Sequence, residues 1–297
     1  MYFWFNIFLF IYIFLFYKFF IGDNNPNQYM SRNLPKNRKL IKTSLGNTSV
    51  YLEYKKKDKL ILLVPGFGSS LDSFKECFNY YANYDVISLD FYGRGWSDGV
   101  KNYNINTFID QIHEVLEHTS YQNYKEINII ACSMGCILTD EYLKKYKPKI
   151  NKVIFIAPAG LTIKNKPFYY KIFKKKYINK LLFTLFAPLI ILQHNRKCYN
   201  VNYTNLSFIY FMLNHNGYIP CLLDTFNNID LDKHQYSKYN NLLILISKDD
   251  RVTKFDKTKF LNIPIIEFNK YGHSELIYPT RRIIYNFLLN NQFINNM

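Results

Sequence analysis

The sequence predicts an α/β fold built on an open, doubly wound, mostly parallel sheet. Five short, almost unbroken apolar runs occur at residues 60–64, 86–89, 127–131, 153–157 and 242–246. Their length and lack of alternation suit strands buried on both faces. Helical patterns lie between or after them, at residues 71–81, 105–118, 134–147 and 279–289. Strand–helix alternation of this kind indicates βαβ units around a parallel sheet. The rhythm breaks once. About 80 residues separate the runs at 153–157 and 242–246, against a usual loop of roughly 2–6, so residues 161–239 form an insertion.

In chain order, residues 1–22 come first, an apolar run interrupted only by Asn6 and Lys18. At ~1.5 Å per residue, about 20 helical residues cross a ~30 Å hydrocarbon core. Lys18 lies near the end, where it can snorkel. Neither a basic leader nor a small-x-small cleavage site is visible, so an uncleaved single-pass anchor is expected. The alternative is a cleaved signal sequence and the secretory pathway. Arg32, Lys36, Arg38, Lys39 and Lys42 follow, which by the positive-inside rule leaves the bulk of the chain on the cytoplasmic side. Residues 23–42, polar and containing Pro26 and Pro35, read as a linker, and the folded domain as 43–297. Residues 43–54 alternate loosely, as an edge hairpin would, and the lysine run 55–57 reads as a solvated turn. Pro279 suits a first helical position, where its missing N–H costs nothing.

The composition sets limits. A chain of 297 residues suits one α/β domain with an insertion. A hydrophobic content of 48% excludes a disordered protein. Five cysteines without a C-x-x-C pair or a Cys/His cluster exclude a disulfide scaffold, and no metal or cofactor is expected. Asn, Lys, Ile, Phe and Tyr are over-used throughout, which reads as coding bias. Residues 161–198 nevertheless carry nine Lys and Arg and no Asp or Glu, more than half of the net charge of +16. These cations interleave with Phe, Tyr, Leu and Ile, a combination that attracts anionic membrane surfaces. No nucleic-acid motif accompanies them, and no nucleic-acid partner is expected.

Ala131-Cys132-Ser133-Met134-Gly135 has the form small-x-Ser-x-Gly, directly after a predicted strand and before a predicted helix. Small flanking residues let strand and helix approach, and the sharp turn thrusts the serine above the sheet. The helix N-terminus then offers N–H groups and a positive dipole end beside it. A chance serine in a strand-to-helix turn is the plain alternative.

Here the chain resembles the α/β-hydrolase family, and three further segments fit in order. Val64-Pro65-Gly66-Phe67-Gly68 is similar to the family's His-Gly-x-Gly oxyanion loop, with Pro65 in place of His. The resemblance implies an oxyanion hole made by the backbone N–H groups of Phe67 and Met134, each such donor contributing about 2.7–4 kcal/mol. The stretch from Asp90 to Gly99 is similar to the family's Asp-x-x-Gly-x-Gly-x-Ser turn, where Asp90 and Ser97 satisfy backbone groups. Trp96 lines a pocket or packs. The stretch from Leu242 to Val252 resembles the strand that ends in the catalytic acid, with Ser247 at the family's Gly position and Asp250 as acid. Asp249 is the rival, one residue off. Gly272-His273 resembles the Gly-His before the last helix, making His273 the base. His113, His118, His194, His215 and His234 read as surface or core residues, and Cys132 as packing.

The order Ser133, Asp250, His273 is the α/β-hydrolase order. The resemblance implies an α/β-hydrolase fold with a helical cap at about 161–239, and a serine hydrolase cleaving carboxylic esters through an acyl-enzyme. A serine at the elbow argues against epoxide hydrolases and haloalkane dehalogenases, which need Asp there. Residues 177–193 are apolar enough to line an acyl-chain pocket, or to be the buried underside of the cap. With the anchor and basic cap they favour a lipid-like ester, a monoacylglycerol or lysophospholipid, at a membrane. Small soluble esters or thioesters, and a catalytically silent binding protein of the same fold, are the alternatives.

Overall fold

The computed structural model describes residues 4, 6–12, 38–161, 215, 217–231, 233–237, 239–253 and 263–289. Eight strands form one sheet: β1 (Arg38–Thr43), β2 (Gly46–Glu53), β3 (Lys59–Val64), β4 (Asp85–Leu89), β5 (Glu126–Cys132), β6 (Lys152–Ile156), β7 (Leu242–Ser247) and β8 (Ile265–Phe268). Their order is β1-β2-β4-β3-β5-β6-β7-β8. The β1–β2 and β2–β4 pairs are antiparallel, and every other pair is parallel. Among the described residues the longer helices are α1 (Ile105–His118), α2 (Met134–Tyr146), α3 (Tyr218–Asn228) and α4 (Ile277–Leu289), and 3-10 segments span Leu71–Cys77 and Tyr121–Asn123.

The apolar runs are continuous because each strand feeds two cores. Successive side chains point to opposite faces. Leu60, Leu62 and Val64 of β3, with Ile127, Ile129 and Ala131 of β5, pack on the face that carries Phe108 and Ile112 of α1 and Ile137 of α2. Ile61, Leu63, Ile130, Ile154 and Leu243 pack on the other face, with Phe74 and with Ile284 and Phe287 of α4. Helix α1 begins in a capping box: the Asn104 side chain accepts from Thr107 N–H, and the Thr107 hydroxyl accepts from Asn104 N–H. At the end of α4 the buried Lys152 ammonium donates to the carbonyls of Phe287 (2.9 Å) and Leu288 (2.8 Å), which lack helical partners.

Four local expectations change. Residues 38–42, read as linker, form β1, an edge strand whose exposed Lys39, Leu40 and Lys42 disguise it as polar chain. Arg38 is buried against Asp90 (2.7 Å) and Asp72 (2.5 Å), so it is not a free flanking charge. The pattern at 71–81 is a 3-10 segment ending at Cys77, not a longer helix. Helix α4 starts at Ile277, which makes Pro279 its third residue; an N–H at that position would also lack an intrahelical acceptor, so proline is tolerated.

Residues 6–12 are helical, with Phe8, Leu9, Phe10 and Ile11 exposed. Among the described residues no helix is long and apolar enough to cross a membrane. Most of the expected span at 1–22, the basic segment and the apolar stretch 177–193 lie outside the described residues. Of the insertion, α3 and the return toward β7 are described. The return is pinned where Leu161 pairs with Lys233 and Gly160 with Leu231 and His234.

Candidate active site

Ser133 caps β5 and opens α2 at φ 54°, ψ −120°, a conformation rare for a residue with a Cβ. Its surroundings hold it there. Its N–H donates to the Ile156 carbonyl (2.9 Å), and its carbonyl accepts from Cys136 (3.1 Å) and Ala159 (3.2 Å). The small residue of the motif is required by close approach: a Cβ on Gly135 would lie 2.5 Å from the Val64 carbonyl oxygen and 2.6 Å from that of Pro65. Gly66 lies against the serine itself, since a Cβ there would meet Ser133 Cβ at 3.0 Å. The β3 loop bearing Phe67 is therefore packed on the elbow. Met134 is the first residue of α2, so its N–H has no helical carbonyl behind it.

Asp250 follows β7 and His273 follows β8. The two are in direct contact, His273 Nδ1 lying 2.7 Å from Asp250 Oδ2, with both side chains buried. The N–H groups of Val252 (2.7 Å) and Thr253 (2.9 Å) donate to Oδ1 of Asp250, and the Thr253 hydroxyl donates to Oδ2 (2.6 Å). Burial pushes the Asp250 carboxyl up, but the hydrogen bond and charge of His273 and the Thr253 donors outweigh it. The net result is a carboxyl below its ordinary value. Asp249, the rival, is exposed, and the Ser247 hydroxyl accepts its N–H (3.3 Å). Ser247 also accepts from Tyr271 N–H (3.3 Å), so the residue that departs from the family's glycine ties the Asp250 loop to the His273 loop.

Asp250 and His273 are thus brought together, and Ser133 stands at the same, C-terminal, edge of the parallel strands. Among the described residues the Ser133 hydroxyl makes no hydrogen bond. Catalytic hydrogen bonds often tighten only when substrate binds.

Asp90 and Ser97 satisfy the turn after β4. Asp90 accepts from Leu71 N–H (2.8 Å) and Trp96 N–H (3.0 Å), and Ser97 accepts from Ser49 N–H (2.8 Å) while donating to the Asp90 carbonyl (2.6 Å). Gly95, at φ 53°, leaves room for the Asp90 carboxyl, which a Cβ would meet at 2.2 Å. Trp96 is half-buried beside Arg38. Cys132 is buried in the core. His215 is buried with Nε2 2.6 Å from the Ser97 carbonyl oxygen, and burial pushes its pKa down. His113 stacks on Tyr146, His118 is exposed, and His194 lies outside the described residues.

Asp140, Glu141 and His234 cluster closely enough to suggest a cation site. Lys144 already fills it, 2.6 Å from Asp140 and 2.7 Å from Glu141, and Ser237 N–H and the Tyr239 hydroxyl take the other Asp140 oxygen. With His234 at 2.7 Å these donors overcome burial and hold the Asp140 carboxyl down at about 2. The cluster fastens the end of the insertion to α2.

Two groups at the site escaped the sequence. Thr253 is legible only as the third residue after the acid. Arg94 lies within the turn motif, but nothing in the motif foretells that its side chain is wholly buried.

The model of the alpha/beta hydrolase fold family matches residues 59–254. The chain belongs to the alpha/beta hydrolase fold family. A protein named probable lysophospholipase L2, from Haemophilus influenzae, is 28% identical over 116 residues, a match covering 36% of this chain and 37% of that protein. The chain thus spans well under half the length of that curated relative. A bromoperoxidase from Bacillus anthracis superposes with a TM-score of 0.66 at 18% identity, over 85% of this chain and all of that one. An esterase from Exiguobacterium antarcticum superposes with a TM-score of 0.61 at 17% identity, over 82% of this chain and 95% of that one. At such identities the likeness is one of fold, and it agrees with the strand order and the mostly parallel sheet of this chain.

Proposed function

We propose that this chain is a serine hydrolase of carboxylic esters, working through Ser133, His273 and Asp250. The observation that carries the reading is the buried His273–Asp250 pair, set at the strand edge that also presents the strained Ser133 elbow. Ser133 Oγ attacks the ester carbonyl and His273 Nε2 takes its proton. Asp250 holds Nδ1–H, fixing the tautomer and stabilising the imidazolium. The oxyanion that develops is held by the N–H groups of Phe67 and Met134. His273 returns the proton to the leaving alcohol, and water then cleaves the acyl-enzyme by the same route.

The substrate class we propose is a lipid-like ester, a monoacylglycerol or lysophospholipid. Support comes from the apolar stretch 177–193 beside a cationic segment, and from the partial likeness to a lysophospholipase. A membrane anchor at residues 1–22 fits the same reading, and the helical residues 6–12 expose apolar side chains. The catalytic domain would then sit on the cytoplasmic side.

The test is labelling of the full chain, wild type and Ser133→Ala, with a fluorophosphonate, followed by an ester panel. Labelling of wild type alone, with hydrolysis of long-chain esters, is the expected result. Equal labelling of folded Ser133→Ala would remove Ser133 as nucleophile. Deleting residues 1–22 should release the protein from membranes, and retention would move the anchor to the basic cap.

A further inference from the structure

Arg94 is the largest fully buried side chain among the described residues, and no carboxylate among them lies within ion-pair distance of it. A buried guanidinium without a counter-ion is costly. Its Nε has no hydrogen-bond partner among the described residues. What the charge meets instead is three aromatic faces, those of Phe67 (5.7 Å), Phe91 (5.8 Å) and Phe108 (5.4 Å), which stabilise a cation through their ring quadrupoles. The turn aims it inward, because Gly93 and Gly95 on either side hold positive φ of 74° and 53°.

The polar end reaches an oxygen on each of two segments among the described residues. Nη1 donates to the Gly66 carbonyl (3.1 Å), and Nη2 reaches the Thr225 hydroxyl of α3 (3.4 Å). The Gly66 carbonyl belongs to the same planar peptide as the Phe67 N–H, so a donor on the oxygen sets the direction of the N–H on the far side. Two more donors converge on that oxygen, the Ser69 hydroxyl (3.1 Å) and Ser69 N–H (3.4 Å). Charge-assisted donation also polarises the peptide and strengthens its N–H as a donor. Helix α3 grips the same loop again where the Tyr218 hydroxyl donates to the Gly68 carbonyl (3.1 Å).

We infer that Arg94 is a positioning residue: it orients and polarises the Gly66–Phe67 peptide so that the Phe67 N–H faces the oxyanion, and it ties that peptide to the insertion through Thr225. This rests on the serine-hydrolase reading above.

The test is the rate of fluorophosphonate labelling of the full chain. In that reaction an Oγ–P bond forms, the P–F bond breaks, fluoride leaves, and His273 takes the serine proton. The phosphoryl oxygen occupies the place of an ester's oxyanion. Arg94→Met should lower the maximal labelling rate per folded molecule about tenfold or more, with half-saturation changed less than twofold. Ser69→Ala, which removes a neutral donor from the same carbonyl, should lower it roughly threefold. Lys152→Met removes another buried cation, at the opposite end of the strands, and should lower the melting temperature while leaving the labelling rate unchanged. If Arg94→Met does not fold, Arg94→Lys and Ser69→Ala decide. Rates within twofold of wild type in the folded variants overturn the inference alone. A folded wild type that does not label overturns the function, and the inference with it.

Discussion

Two buried aspartates follow strands that have three others between them in the sheet, and their partners differ in kind. Asp90 follows β4 and Asp250 follows β7, and each accepts two backbone N–H groups and one cationic or ionisable partner. The partner of Asp90 is Arg38, a permanent charge, and the pair is sealed: complete burial pushes the Asp90 carboxyl above its ordinary value, with Arg38 and the two N–H groups pulling it back. The partner of Asp250 is His273, whose hydrogen bonds among the described residues all go through Nδ1. A carboxylate paired with a permanent cation stabilises a turn. The same carboxylate paired with an imidazole leaves, in the proposed reaction, a ring nitrogen to accept a proton.

Substitution should separate the two. Asp250→Asn should lower kcat by about four orders of magnitude through the wrong imidazole tautomer, with a small change in melting temperature. Asp90→Asn takes from Arg38 the buried one of its two carboxylates, leaving the half-exposed Asp72, and should cost about 3–5 kcal/mol of stability. Its kcat per folded molecule should fall less than tenfold, and a loss as large as that of Asp250→Asn would erase the distinction. Thr253→Val removes the hydroxyl donor to Asp250 Oδ2 and should lower kcat several-fold; an unchanged kcat would show that the backbone donors alone orient the acid.

The direction of the Asp250 shift gives a pH test. Its folded pKa lies below the unfolded value, so its contribution to stability is present above the unfolded pKa and is lost as pH falls through the folded one. The gap in melting temperature between wild type and Asp250→Asn should be constant near neutrality and close below about pH 4. A gap that widens in acid would reverse the sign of the shift. The smallest effect belongs to Asp249→Asn, exposed and facing away, where activity should stay within about twofold of wild type.

The core strands and the elbow were legible because both rest on local constraints. A strand buried on two faces must be apolar at every position, as in β3 and β7. A serine in strained backbone between strand and helix must have small neighbours, as Gly135 shows against Val64 and Pro65. β1 was not legible: an edge strand needs only part of its side chains buried, so Lys39, Leu40 and Lys42 read as linker. Nor was Arg94, because a cation in sequence looks solvated, and only the rings of Phe67, Phe91 and Phe108 from separate segments show that it is not.

By itself, then, the sequence determined the alternation of buried strands and amphipathic helices and the order of Ser133, Asp250 and His273 along the chain, since periodicity and turn chemistry act over a few residues. Tertiary structure decided which aspartate meets His273, that Ser247 joins the loops of Asp250 and His273, and that Arg94 reaches Gly66. Those contacts join residues 23 to 28 positions apart, and chain closure over such distances depends on how the whole sheet is ordered and twisted.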